Sequence, residues 1–155
     1  MTLEASKIFD ISPQMEQLIN FAQYGVTVYA PTADGEVSVY MNLLWESEML
    51  EISKRSAIVC NVADELSRSE FIKLETLVYA ISRIGEDVYK DEDEDRHKAL
   101  KNKLRIRLGN SSPITIDFLY DMYDTLSIHR NEDTQEKLDS LKKKNLETIK
   151  QAKPL

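Results

Sequence analysis

The sequence has few of the residues that punctuate or cross-link a chain. It holds 4 glycines, 4 prolines and 1 cysteine among 155 residues. A single cysteine excludes an intrachain disulfide and is typical of a reducing, intracellular compartment. So few glycines and prolines argue against a linker-rich or low-complexity chain. The motifs GxGxxG, GxxxxGK[ST] and GxSxG are all absent, so the usual phosphate-cradling loops and serine-nucleophile turns are excluded.

Targeting and membrane signals are missing as well. The first residues, MTLEASKIFDISPQ, carry acids where a secretory signal needs a basic region followed by an apolar run. No apolar stretch reaches the length of about 18 residues that a transmembrane helix requires. We therefore expect a soluble protein without a membrane-spanning segment, located in the cytoplasm of the cell that makes it.

The balance of charge is acidic, with a formal net charge of -7 and a sequence pI of about 4.9. Phosphate binding needs a net basic face, so this balance disfavours nucleic acid as the main partner. Hydrophobic residues make up 42% of the chain, which is enough for one domain with a real core.

What is present is mostly a helical pattern interrupted by one β pattern. Residues 25–41 alternate apolar and polar side chains around the turn sequence PTADG, in which Asp34-Gly35 is the turn signal. This segment predicts a β-hairpin. Its faces differ: valines and Met41 on one, and Thr27, Tyr29, Ser38 and Tyr40 on the other.

The remaining segments repeat apolar residues every three or four positions, which is typical of amphipathic helices. Ser12-Pro13 and Ser112-Pro113 are helix-start signals. The helix around Val78 is expected to end at Gly85, and a later one at Gly109. The sequence predicts a mainly α fold of about five or six helices with one N-terminal β-hairpin. We divide it into an N-terminal helical segment (1–24), a hairpin and helical core domain (25–130) and a Lys-rich, exposed C-terminal helix (131–155).

The hairpin leaves two interpretations open. A lone two-stranded hairpin is marginal in water, so it needs a helix across one face or an additional strand. In the first interpretation, the valine face packs on the helices and the edges are simply short. In the second, an edge without Lys or Arg accepts a strand from a partner.

Residues with possible chemistry each have an ordinary structural explanation. The acidic run 91–95 suits a helix start, since a calcium loop beginning at Asp91 would need Gly and Glu where Arg96 and Asn102 stand. His97 and His129 belong to no ligand motif. Cys60 lies in the apolar segment AIVCNVA and is expected to be a buried small hydrophobe. We predict no catalytic residue, no metal site and no cofactor, and therefore no enzyme.

A basic run at residues 96–107 is the basis of an alternative function. Its Lys and Arg residues are interleaved with leucines and follow five acids, which favours a solvated helix face. The alternative is a small helical nucleic-acid-associated regulator that binds through this run.

Three segments resemble the small tail-assembly proteins of tailed bacteriophages, which comprise tail assembly chaperones and small baseplate-hub assembly proteins. They are VSVYMNLLWESEMLEISKRS, FIKLETLVYAISRIGED and SPITIDFLYDMYDTL, within residues 36–127. The resemblance implies a non-enzymatic, helical, acidic protein. In that family, the chaperones hold the aggregation-prone tape-measure protein, whereas the baseplate members become part of the particle. The resemblance therefore implies tail tube, tape-measure or baseplate proteins as partners, and the host cytoplasm or the virion as location.

A chaperone for a long amphipathic helical protein would need an apolar groove between helices. Candidate partner-binding residues are the hairpin tyrosines, the tryptophan at the hairpin–helix junction, and apolar positions of two later helices. The helical candidates are also what a core requires, and Trp45 suits either a core plug or an interface anchor. These candidates are Tyr29, Tyr40, Trp45, Phe71, Leu74, Val78, Tyr120 and Tyr123.

Overall fold

The computed structural model describes residues 12–59, 65–128 and 132–154, and within these ranges the chain forms six helices and one four-stranded antiparallel sheet. The predicted mainly α fold with an N-terminal hairpin is confirmed. The helices are α1 (Pro13–Ile19), α2 (Glu46–Val59), α3 (Glu65–Ala80), α4 (Glu94–Gly109), α5 (Pro113–Ile128) and α6 (Glu132–Gln151). The strands are β1 (Gly25–Thr32), β2 (Gly35–Asn42), β3 (Ile81–Ile84) and β4 (Asp87–Val88).

Both Ser-Pro signals begin helices where the sequence predicts them. The Ser12 Oγ accepts a hydrogen bond of 3.2 Å from the backbone N–H of Met15, and Pro13 is the first helical residue. Helix α5 likewise starts at Pro113. Helix α1 ends at Ile19, shorter than expected. The predicted stop at Gly109 is confirmed as the last residue of α4.

The first hairpin has the predicted faces. Val28 pairs with Val39 on one face and Tyr29 pairs with Ser38 on the other. The turn itself is formed by Ala33 and Asp34, one residue earlier than the Asp-Gly signal suggests, because Gly35 already pairs in β2. The helices cover the valine face, so the hairpin gains the packing that it needs.

The expected helix end at Gly85 is wrong. Helix α3 ends at Ala80, and the next four residues form β3, which pairs with β2 and adds a third strand to the sheet. Gly85 instead has φ of 57° in the two-residue turn to β4, a conformation that favours glycine. The sequence Ile81–Ile84 contains two β-branched isoleucines, which favour a strand where the pleated surface can pack.

A buried lysine binds two carbonyl groups where α3 passes into β3. The Lys101 Nζ donates to the carbonyl oxygens of Ile81 at 2.7 Å and Tyr79 at 3.5 Å. Lys101 is only 5% exposed, and this burial lowers its pKa to about 8. Helix C-terminal carbonyls that lack intrahelical partners are stabilised by a cation. The lysine therefore takes the place of the glycine cap that the sequence pattern suggested.

The core lies between the valine face of the sheet and helices α3, α4 and α5. Five of its members are at 0% exposure, among them Met41 from β2, Leu77 from α3 and Leu104 from α4. Other members of this cluster are Ala30, Val39, Val78, Ile81, Tyr89, Leu108, Ile116 and Leu119.

Candidate functional site

A groove lies between α2 and α3 on the surface of the protein. Its volume is about 350 Å³. Ile52 and Ser56 are buried at 4% and 5% exposure, whereas Met49 is 53% exposed. The lining residues are Met49, Ile52, Ser53, Ser56, Ala57, Arg68 and Ile72.

A second hollow of about 390 Å³ lies between α3 and α5. Arg68 and Ile72 line both hollows, so the two are neighbours along the first half of α3. The second hollow is lined by Glu65, Arg68, Ser69, Ile72, Lys73 and Tyr120. We call the two hollows together the α2–α3–α5 trough.

A buried carboxylate holds one wall of the trough in place. Glu75 of α3 is 1% exposed and accepts hydrogen bonds from Arg55 of α2 at 2.5 Å and from the Nε of Arg105 of α4 at 2.6 Å. Because a buried charge must be paired, this triad ties three helices together at fixed spacing.

An exposed ion pair joins the other wall. The Lys73 Nζ lies 2.9 Å from an Asp117 oxygen of α5, 3.3 Å from Glu70, and 5.8 Å from the centre of the Tyr120 ring. Hydrogen bonds to the Asp117 and Glu70 carboxylates raise the pKa of Lys73 above its usual value. An exposed pair of this kind contributes little to stability but orients the side chains beside the second hollow.

Of the predicted helical candidates, only Tyr120 lines the trough. Val78 is fully buried in the core, and Leu74 packs against that core. Phe71 is half-buried. The Tyr123 hydroxyl accepts a hydrogen bond of 3.4 Å from the backbone N–H of Leu44, and burial raises its pKa. The structure therefore divides these residues between core and surface rather than gathering them into one site.

The three candidates of the hairpin region lie elsewhere. Tyr29 is 58% exposed on the face of the sheet opposite the helices. The Tyr40 ring lies across Gly25, where a Cβ would overlap it. Trp45 is half-buried and directly precedes α2. Its backbone N–H donates to Glu48 Oε1 at 2.8 Å, which is the bond that the acidic residue of a helix capping box makes.

The two edge strands of the sheet are β4 and the longer β1. The register directs the backbone N–H and C=O groups of Thr27 and Tyr29 away from β2. Within the described ranges these groups have no backbone partner. Strand addition at this edge remains a prediction.

The acidic run and His97 have structural roles. Asp93 caps α4 by accepting a 3.0 Å hydrogen bond from the N–H of Arg96, and the Asp91 N–H donates to His97 Nδ1 at 3.1 Å. Among residues 12–59, 65–128 and 132–154, no cluster of His, Cys, Asp or Glu could hold a metal ion. Cys60 and His129, which the sequence analysis discussed, lie outside the described residues.

The basic run of α4 is partly turned inward. Lys101 binds backbone carbonyls and Arg105 binds Glu75. Arg107 contacts the Tyr89 hydroxyl at 2.5 Å. These internal partners leave fewer cations of the run for an external anion than the sequence suggested.

The trough residues of α2 were missed by the sequence analysis. Met49, Ile52, Ser53 and Ser56 recur at helical spacing, so the pattern identifies their shared face. It does not show that α3 leaves this face partly open.

In the described part of the chain, no helix is long and apolar enough to cross a bilayer. Comparisons with family models, curated proteins and solved structures give no match.

Proposed function

We propose that this chain is a non-enzymatic protein-interaction module that acts in the assembly of phage tails or baseplates. It binds an amphipathic helical segment of a tail tube, tape-measure or baseplate protein in the α2–α3–α5 trough. The observation that carries the proposal is the trough itself, with its apolar floor of Ile52 and Ile72 and its exposed rim residue Met49.

The dimensions and lining of the trough support a helical occupant. Helix-in-groove recognition buries anchors at positions i, i+3, i+4 and i+7 in an apolar channel. Two neighbouring hollows, of about 350 and 390 Å³, offer two places for such anchors. Tyr120 and Arg68 beside the second hollow are residue types that are frequent at binding hot spots.

The charge of the protein supports its role as a chaperone or small structural component. A net charge of -7 keeps the chain soluble while it exposes apolar side chains. Leu50, which follows Met49 on α2, is 57% exposed, and Leu66 of α3 is 71% exposed. Exposed apolar groups beside a groove are typical of a protein-binding surface.

The experiment fills the trough without touching the core. Ala57 lines the first hollow and is exposed, so Ala57→Arg should block the channel while it changes stability by no more than about 0.5 kcal/mol. Ala99 is an exposed alanine of α4 outside the trough, so Ala99→Arg adds the same side chain elsewhere and is the matched control.

Tagged wild-type, Ala57→Arg and Ala99→Arg chains are used to capture partners from the native lysate, and mass spectrometry identifies them. We expect wild type and Ala99→Arg to retain tail tube, tape-measure or baseplate proteins and Ala57→Arg to lose them. Purified particles then show whether the protein leaves or remains. Recovery of nucleic acid or polymerase without any tail protein would refute the proposal and favour the regulator that uses the basic run 96–107.

A further inference from the structure

Helix α6 is exposed along most of its length. Contacts at its first turns hold it to the rest of the chain: the Thr134 hydroxyl bonds the Tyr24 hydroxyl, and the Lys137 Nζ lies 6.0 Å from the centre of the Phe21 ring. Beyond Leu138, every residue from 139 to 154 is exposed. The greater part of this 20-residue helix therefore has no packing partner among the described residues.

The exposed part carries an apolar stripe. At 100° per residue, Leu138, Leu141, Leu146 and Ile149 fall within one arc of about 140°, which also contains Lys142 and Asn145. Three of them leave much of their surface in water, with Leu141 at 45%, Leu146 at 50% and Ile149 at 67% exposure. A stripe of this kind on a projecting helix is stable only when something covers it.

The charges of α6 are segregated along its length. Residues 132–141 contain four acids and one lysine, whereas residues 142–153 contain five lysines and one glutamate. Two such helices side by side in parallel would place acidic half against acidic half and lysine run against lysine run. In antiparallel orientation each acidic half lies beside a basic half, and the two helix dipoles also oppose each other.

We propose that α6 pairs with α6 of a second copy of this chain as an antiparallel two-helix interface. A two-fold axis midway between Lys143 and Lys144 would set Leu138 opposite Ile149 of the second copy, with Lys142 opposite Asn145 at the centre and Leu141 and Leu146 at the two margins. The apolar ends of the stripe therefore match each other, as an isologous interface requires. The same register brings Asp139 within about one helical turn of Lys150 of the second copy, on the same flank of the interface.

The pairing is independent of the trough, which lies on α2, α3 and α5. It makes a dimer that presents two troughs. Two linked binding sites on one elongated partner would hold that partner more tightly than either site alone.

The test measures the mass of the full chain by sedimentation equilibrium from micromolar to millimolar concentration. We expect the mass to rise from that of the 17.9 kDa monomer toward twice that value. Leu146→Asp should weaken self-association about tenfold or more, because it replaces an apolar side chain of the stripe by a charge on both copies. Ser140→Asp, on the opposite side of the same helix, is the matched control and should leave the mass unchanged. Circular dichroism verifies that each variant is folded.

A charge-reversal series tests the orientation. Asp139→Lys should weaken the dimer, and adding Lys150→Glu to the same chain should restore it, because antiparallel copies place position 139 near position 150. In a parallel pair these positions do not meet, so the second change would give no rescue. A chain that stays monomeric at every concentration would overturn the proposal, as would a dimer that Leu146→Asp leaves intact.

Discussion

The buried Lys101 predicts an unusual dependence of stability on pH. Its pKa is lowered from 10.5 to about 8 because its ammonium group is almost removed from water. Between these two values the unfolded chain binds more protons than the folded chain, so the free energy of unfolding must rise as pH rises. Below pH 8 the lysine is charged in both states, and this contribution becomes constant.

The size of the effect follows from the shift. A shift of one pKa unit corresponds to about 1.4 kcal/mol, so the free energy of unfolding should increase by about 2 kcal/mol between about pH 7 and about pH 9.5. The Tyr123 hydroxyl, whose pKa is raised by burial, acts in the opposite direction above its unfolded value of 10.0. The measurement therefore stops before that tyrosine ionises.

Urea denaturation at several pH values, monitored by circular dichroism, provides the measurement. The control is Lys101→Met, which keeps the aliphatic length of the side chain and removes the titrating group. This variant should lack the gain in stability across the window, although it also leaves the carbonyls of Tyr79 and Ile81 without their donor. A flat profile in the wild type, or the same rise in Lys101→Met, would show that the lysine is not buried as a cation.

Two further predictions concern stability. Glu75→Ala should cost about 3 to 5 kcal/mol because it leaves Arg55 and Arg105 without their shared carboxylate; Glu70→Gln, which removes only an exposed partner of Lys73, should cost less than about 1 kcal/mol. Equal costs in denaturant titrations would contradict the triad. Gly25→Ala should cost about 1 to 3 kcal/mol because the added Cβ overlaps the Tyr40 ring. Combining it with Tyr40→Thr should cost less than the two single changes added together, and strict additivity in the same titrations would refute the contact.

The hairpin could be predicted from the sequence because its pattern is local. Alternating valines and a turn signal within residues 25–41 determine both strands and both faces. Helix starts at Pro13 and Pro113 were predicted for the same reason, since a serine cap and a proline act within one turn.

The second hairpin could not be predicted from a local pattern. Ile81 continues the apolar stripe of α3 at helical spacing, so periodicity assigns it to the helix. The structure ends the helix one residue earlier because β2 offers an unpaired edge and Lys101, 20 residues away, stabilises the free carbonyls. Both causes are long-range, and only the folded arrangement reveals them.

Most residues that line the two hollows could not be predicted from the sequence. An apolar groove between helices was expected, and Tyr120 does line a hollow. Val78 satisfies the same helical pattern but is fully buried. Core and surface stripes have the same periodicity, so a single sequence cannot separate them without knowing which helices lie side by side. Met49 and Ala57 form a surface only because α3 leaves them exposed beside the first hollow.

The most direct test of the central claim is a photo-crosslinking amino acid placed at position 57 of the full chain in the cells that make it, with position 99 as the control site. The proposed function predicts that position 57 crosslinks to a tail tube, tape-measure or baseplate protein and that position 99 does not. Crosslinks to polymerase or nucleic acid at either position, or the absence of any tail protein from the position 57 products, would contradict it.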